Sequence, residues 1–258
     1  LNLAEIKALA TVGHEHKVLT EVFVHGSNCI SFSGLCYMSS VEGGNSGNRG
    51  RCSQPCRDQY LTTAEGKDFP LNIKDNSAYG DLRGLAEAGV DSIKIEGRIK
   101  KYHYVYTVVD TWRKHLQSFY QQQTLQSESS ELRKVFNRDF SNAFLQGGIG
   151  REVFIDDPRD NSAIHRAAVN AEAGEESLGK AKKELYDIKT GIINSVKEKI
   201  DQLSTEKGAL KISVSGGSGE RLKLVVVTPE TSCQVESNGE LVQLERSPDS
   251  ESDDGTNK

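Results

Sequence analysis

The first 120 residues predict an α/β fold with a parallel sheet. Short apolar runs of strand character recur at residues 18–24, 69–74 and 92–95. Amphipathic helical segments separate them, the pattern of strands joined by crossovers. Three strands cannot close a barrel of eight. Two forms therefore stay open, the C-terminal part of a TIM-like parallel barrel or an open sheet. A long helix and a small, incomplete β region follow.

Each element has a local cause. Asn2 is placed to cap a helix, and Glu5 three residues on completes a capping box. Leu3, Ile6, Leu9 and Ala10 share one face of it, and Gly13 ends it. Residues 18–24 are β-branched and apolar, hence a buried strand. Residues 59–63 read as a further short strand, with Glu65-Gly66 as a turn. Asp75, Asn76 or Ser77 caps a helix carrying Tyr79, Leu82, Leu85 and Ala86, and Gly89 stops it. The strand at 92–95 ends in Glu96-Gly97-Arg98. A helix over about 100–120 directs Val105, Val108, Val109, Trp112, Leu116 and Phe119 inward.

Beyond this first domain (1–120), residues 121–130 form a polar Gln/Ser-rich linker, and 121–174 read as linker and extension. Residues 154–166 read as mostly polar loop. Across 175–208, Leu178, Ala181, Leu185, Ile188, Ile192, Val196, Ile200 and Leu203 alternate spacings of three and four. That is one apolar stripe on a long helix, packing on its own protein in preference to a dimeric coiled coil. Residues 210–214 and 222–227 alternate around a Gly-rich turn, a hairpin signal within a partial β domain at 209–245. Cys233 and residues 241–244 suggest further strands there, with Cys233 a core residue. The acidic tail, 246–258, reads as disordered.

Apolar residues make up 36% of the chain and charged residues 27%, as in soluble globular proteins. No apolar run approaches the roughly 20 residues that span a bilayer. No export-signal pattern appears, and the start at Leu1 suggests an internal fragment of a longer protein. The cytoplasm is the expected compartment. The net charge of −5 does not advertise nucleic-acid binding, but residues 1–120 hold 14 Lys/Arg against 13 Asp/Glu, so local basic patches remain open there.

The most informative stretch is 21–57, EVFVHGSNCISFSGLCYMSSVEGGNSGNRGRCSQPCR. It holds Cys29, Cys36, Cys52 and Cys56, with six, fifteen and three residues between them. A long glycine-bearing loop inside a compact domain is functional or disordered, and four thiols favour function. Reduced, clustered cysteines bind metal more often than they pair. The paired Cys-x-x-Cys units of standard zinc sites are missing, so an iron–sulfur cluster fits the spacing better. A disulfide or independent thiols stay open. If the strands are parallel, His25, Lys74-Asp75, Glu96 and Arg98 gather at one end with the cysteines. Such a set suits proton transfer by His25 and Glu96 and anion contact by Lys74 and Arg98. Arg49 and Arg57 are further anion candidates; the plainer alternative is that these charges pair with neighbours or fix the loop. No Walker loop, dinucleotide fingerprint, HExxH motif or nucleophile elbow occurs.

Taken together, Glu21-x-Phe23-x-His25-Gly26-x-x-Cys29, Ser33-Gly34-x-Cys36, and Asn48-Arg49-Gly50-x-Cys52-x-Gln54-Pro55-Cys56-Arg57 resemble the collagenase-like peptidase family, peptidase family U32. A second block, Lys94-Ile95-Glu96-Gly97-Arg98-x-Lys100 with Tyr104-Val105 and Trp112-Arg113-Lys114, resembles it too, as does Val135-Phe136-Asn137-Arg138-Asp139-Phe140. The resemblance covers about residues 1–160. It is strongest to the long subgroup that contains the 23S ribosomal RNA 5-hydroxycytidine synthase. It implies a barrel-like domain of which the first half lies outside this chain. It also implies a four-iron (4Fe-4S) cluster on Cys29, Cys36, Cys52 and Cys56, and hydroxylation of bases in tRNA or 23S rRNA, or of quinone precursors. Prephenate is implied as a co-substrate of RNA-modifying members, with Arg98 or Arg57 as partners for its carboxylates, and some relatives work with a partner subunit. Where relatives often carry Gly-Arg, this chain has Gly44-Asn45, removing one possible phosphate contact.

Three functions follow as expectations: an iron–sulfur enzyme that 5-hydroxylates a pyrimidine, cytidine in 23S rRNA; a collagenase-like peptidase; or a non-catalytic cluster-bearing subunit. A cysteine nucleophile in the peptidase would compete with cluster binding.

Overall fold

The computed structural model describes residues 1–32, 35–97, 99–169, 175–206, 211–217, 219–227 and 232–240. The chain divides into two compact units, Leu1–Val196 and Lys197–Lys258. In chain order the first contains α1 (Leu3–Glu15), β1 (Glu21–Gly26), α2 (Tyr37–Gly43), β2 (Asp75–Ser77), α3 (Leu82–Glu87), β3 (Ser92–Ile95), α4 (Tyr102–Tyr120), α5 (Ser130–Arg133), β4 (Phe140–Ser141), α6 (Ala143–Gln146), α7 (Ser162–Val169) and the greater part of α8 (Glu175–Glu206).

The first helix starts as its capping box dictates. The Asn2 side chain accepts from the Glu5 amide, and the Glu5 carboxylate accepts from the Asn2 amide, both at 2.9 Å. Gly13 does not end it; the helix runs to Glu15, and Lys17, at φ 59°, turns the chain into β1.

The sheet has the order β3-β1-β2-β4. β1 and β3 are parallel, as are β2 and β4, but β2 runs antiparallel to β1, with His25 opposite Ser77. This corrects the all-parallel expectation, and no barrel closes among the described residues. The expected strand at 69–74 is also displaced. Only Ile73 bridges, to Phe154, and pairing begins at Asp75, a residue expected to cap a helix. Residues 59–63 form no strand; Thr63 and Gly66 close a turn instead.

The core of this unit lies between the sheet and its helices. Val24, Leu82, Leu85, Val108, Trp112, Leu132, Val135 and Leu145 form one cluster. Burying such side chains stabilises by roughly 1.5–3 kcal/mol each. On α4 the inward face is rotated from the expected one. Tyr104, Thr107, Val108, Thr111, Trp112 and His115 are buried, whereas Val105 and Val109 keep more than a third of their surface exposed. His115 is accommodated by stacking on Tyr79, with ring centroids 3.8 Å apart, and by a 2.8 Å hydrogen bond to the Tyr79 carbonyl. The stretch 130–169 contributes β4 to the sheet and three side chains to this core, and its end, read as loop, forms α7.

In the second unit, β5 (Lys211–Ser215), β6 (Arg221–Val227) and β7 (Ser232–Glu240) form an antiparallel sheet in that order, with Ser213 opposite Val225 as the hairpin signal expects. Cys233 sits exposed on β7, not in a core. The segments 241–244 and 246–258 lie outside the described residues. Among the described residues, no helix is long and apolar enough to cross a membrane.

Candidate functional site

The sheet topology assembles one end of the first unit. β1 and β3 finish there; β2 and β4, running the other way, begin there. The chain leaving β1 (Gly26 to Cys29), residues that follow β3 (Glu96, Gly97, Ile99 and Lys100), and the residues entering β2 and β4 (Asp75, Arg138) therefore converge. The antiparallel β2 reverses one strand, yet keeps Asp75 at the end where a parallel strand would also have placed it. A cavity of about 390 Å³ opens at this end. Cys29, Cys36, Cys52 and Cys56 all line it, together with His25, Glu96, Arg57, Lys100 and Arg138.

The junction of β1 and β3 needs a glycine. Gly26 adopts φ 120°, and a Cβ there would lie 2.5 Å from the Glu96 carbonyl oxygen. The Glu96 amide donates to the His25 carbonyl at 2.8 Å, fixing Glu96 at the cavity. The His25 ring is 1% exposed and packs 5.2 Å from the Phe140 ring. Its Nδ1 is buried without a hydrogen-bond partner among the described residues. Burial lowers its pKa to about 4, against a smaller upward pull from Asp75. His25 is thus a neutral imidazole at ordinary pH.

Arg138 and Lys100, neither of them among the sequence-derived candidates, also line this cavity. Arg138 and Asp75 form an ion pair with both side chains only 5% exposed. Arg138 donates through Nε at 3.0 Å and Nη2 at 2.6 Å to Asp75 Oδ1, and its amide donates at 3.1 Å to Oδ2. Its Nη2 also reaches Ser27 Oγ at 2.7 Å. Lys100 lies with Nζ 3.3 Å from the centre of the Phe136 ring, a cation–π contact. Burial and then Arg138 hold its pKa below the ordinary lysine value. Both residues stand in the sequence blocks that carry the family resemblance, Lys94 to Lys100 and Val135 to Phe140, and that was the signal available for them.

The other candidates divide. Arg57 lines the cavity, but its guanidinium is bonded to the protein through the Asn28 and Ile73 carbonyls and Asn72 Oδ1. Arg49 is exposed and lies off the cavity wall, although its neighbours Gly47 and Gly50 are on it. Lys74 is also off the wall, its amide bonded to the Val153 carbonyl. Arg98 lies outside the described residues.

The thiols are free, with Cys29 and Cys52 exposed and Cys36 and Cys56 half-buried. The Gln54 amide points at Cys52 Sγ at 3.4 Å, and Gln54 itself adopts φ 59° to make that turn. Burial pushes the Cys56 thiol up, while Arg57 pulls it down. No three His, Cys, Asp or Glu side chains among the described residues are disposed to hold a single metal ion. Cys29, Cys36, Cys52 and Cys56 line the same cavity as Arg57, Lys100 and Arg138, and thiols are side chains that could hold a metal centre.

The chain is 36% identical over 166 residues to tRNA hydroxylation protein P1 of Bacillus subtilis, covering 57% of this chain and 39% of that protein. It is 34% identical over 176 residues to the 23S rRNA 5-hydroxycytidine C2501 synthase of Escherichia coli, covering 62% and 26%. It is 32% identical over 142 residues to a collagenase of Porphyromonas gingivalis, covering 51% and 39%. The chain therefore spans well under half the length of these relatives. No solved structure matches it. The model of the family described as Peptidase family U32 matches residues 1–153, more than half of the chain and the whole of the cavity wall. The chain belongs to peptidase family U32.

Proposed function

We propose that this chain carries the cluster-binding end of an iron–sulfur enzyme that hydroxylates a base in RNA, a pyrimidine at C5 and most specifically cytidine in 23S rRNA. The observation that carries the reading is the sharing of one cavity by four thiols, a neutral buried imidazole, a carboxylate and three cations. Relatives named for tRNA and 23S rRNA hydroxylation support RNA as the substrate class.

Cys29, Cys36, Cys52 and Cys56 would ligate the cluster, which supplies one-electron redox chemistry when bound. A cluster gives each thiolate its own iron and so spreads its ligands more widely than a single zinc ion. The chain's own residues do the rest. His25, kept neutral by burial, accepts a proton through a ring nitrogen, and Glu96 holds or passes one at its carboxylate. Arg138, fixed by Asp75, and Lys100 present positive charge to an anionic group. A carboxylate-bearing co-substrate such as prephenate would meet them there, with Arg98 as a further partner.

The collagenase relative supports a second reading, a peptidase. The upward push of burial on the Cys56 thiol is opposite to what activates a cysteine nucleophile. Mass spectrometry of ribosomal RNA from a strain lacking the full-length protein separates the two. Loss of hydroxycytidine is expected; unchanged hydroxycytidine, with collagen hydrolysis by the cluster-free protein, would overturn the hydroxylase reading.

A further inference from the structure

The cysteine loop leaves the sheet after β1 and returns before β2, so something must hold its two ends together. Arg57, the residue after Cys56, does so. Its Nη2 donates to the carbonyl of Asn28, the residue before Cys29, at 2.8 Å. Its Nη1 donates to the Ile73 carbonyl at 2.7 Å and to Asn72 Oδ1. One guanidinium thus ties the residue preceding the first thiol to the chain entering β2. The tie is anchored. Asn72 is fully buried, its Nδ2 donates to the Ile155 carbonyl at 2.7 Å, and the Ile155 amide returns to the Asn72 carbonyl at 3.0 Å. From the other side Arg138 holds Ser27 Oγ at 2.7 Å. The segment 27–28, which sets the position of Cys29, is therefore gripped by two arginines.

We propose that Arg57 is a positioning residue, a clasp that holds Cys29 and Cys56 at a fixed separation before any metal binds. This inference rests on the reading of the four thiols as one ligand set. A planar fork with several donors suits acceptors that diverge on two chain segments; a lysine ammonium, a single point of charge, does not bridge them equally.

The test uses the full-length protein in a Cys36→Ser, Cys52→Ser background, without metal. The rate at which a short bis-thiol reagent joins Cys29 to Cys56 is read by peptide mass spectrometry. In parallel, the otherwise wild-type protein is loaded anaerobically with iron and sulfide, and iron loss to a chelator is timed. Arg57→Lys is expected to slow the cross-link and to speed iron loss, each by roughly tenfold or more, as expected for losing a charged hydrogen bond. A variant that only lowers the unfolding midpoint, with both rates unchanged, overturns the clasp. Should Arg57→Lys fail to fold, Asn72→Ser removes the Asn72 arm together with its side-chain anchor to Ile155, leaves the arms to Asn28 and Ile73, and is read the same way. The cross-linking arm needs no cluster. Wild-type protein that cross-links rapidly but takes up no iron would refute the cluster reading and leave the clasp supported.

Discussion

Lowering the pH from 8 to 5 should destabilise the first unit through His25, and replacing His25 with Gln should remove that part of the loss. The sign follows from burial. In the unfolded chain the imidazole takes a proton near its ordinary pKa of about 6.5; in the folded protein it does so only near 4. Between those values the unfolded state binds more protons, so stability falls as the pH falls through that window. A shift of this size corresponds to roughly 3 kcal/mol when fully developed below pH 4, and to about 2 kcal/mol at pH 5. Trp112 is the single tryptophan of the chain and is buried in the core of this unit, so its fluorescence reports urea unfolding there directly. His103 and His115, whose pKa values burial also lowers, are present in both proteins and cancel in the comparison. Wild type and His25→Gln are measured at pH 8 and pH 5, and the wild type should lose about 2 kcal/mol more than the variant. Equal losses would refute a neutral, buried His25.

Three further outcomes are expected. Gly26→Ala forces a Cβ to within 2.5 Å of the Glu96 carbonyl at φ 120°; it should cost at least about 1–3 kcal/mol by urea unfolding, and a neutral effect would show that the β1–β3 junction is looser than described. Arg138→Met leaves Asp75 buried and unpaired and should cost about 3–5 kcal/mol; adding Asp75→Leu should recover part of that loss, which a double-mutant cycle measures. Arg49→Ala, at an exposed position off the cavity wall, should change stability by less than about 0.5 kcal/mol.

How much of this was legible in the sequence depends on how local each cause is. The capping box of α1, the β5–β6 hairpin and the clustering of four thiols rest on neighbours in sequence, and the structure has them in place. The direction of β2 was not legible. It is three polar residues, Asp75 to Ser77, whose pairing is set by Arg138 sixty-three positions later and by the main chain of β1. Nothing in hydrophobic periodicity reports such a partner. The rotation of α4 has a related cause. Val105 and Val109 matched an apolar stripe, but Tyr104 and His115 fill the space beside His25 and Tyr79, and a polar aromatic ring inside a core scores as surface in any pattern of apolar residues. For Arg57 the sequence leaves two roles open, contact with an anion or fixing of the loop, and does not name partners for either; its three bonds to the protein come from segments 29 and about 16 residues away.

Joint ligation of one iron–sulfur centre by Cys29, Cys36, Cys52 and Cys56 is the core of the proposed function. The most direct measurement is anaerobic purification of the full-length protein, followed by iron, sulfide and zinc analysis and a visible spectrum, repeated on the four single Cys→Ser variants. A brown protein with iron and acid-labile sulfide in equal amounts, depleted in every variant and unaffected by Cys233→Ser, is the predicted result. A colourless protein, or one carrying zinc in place of iron, would contradict it.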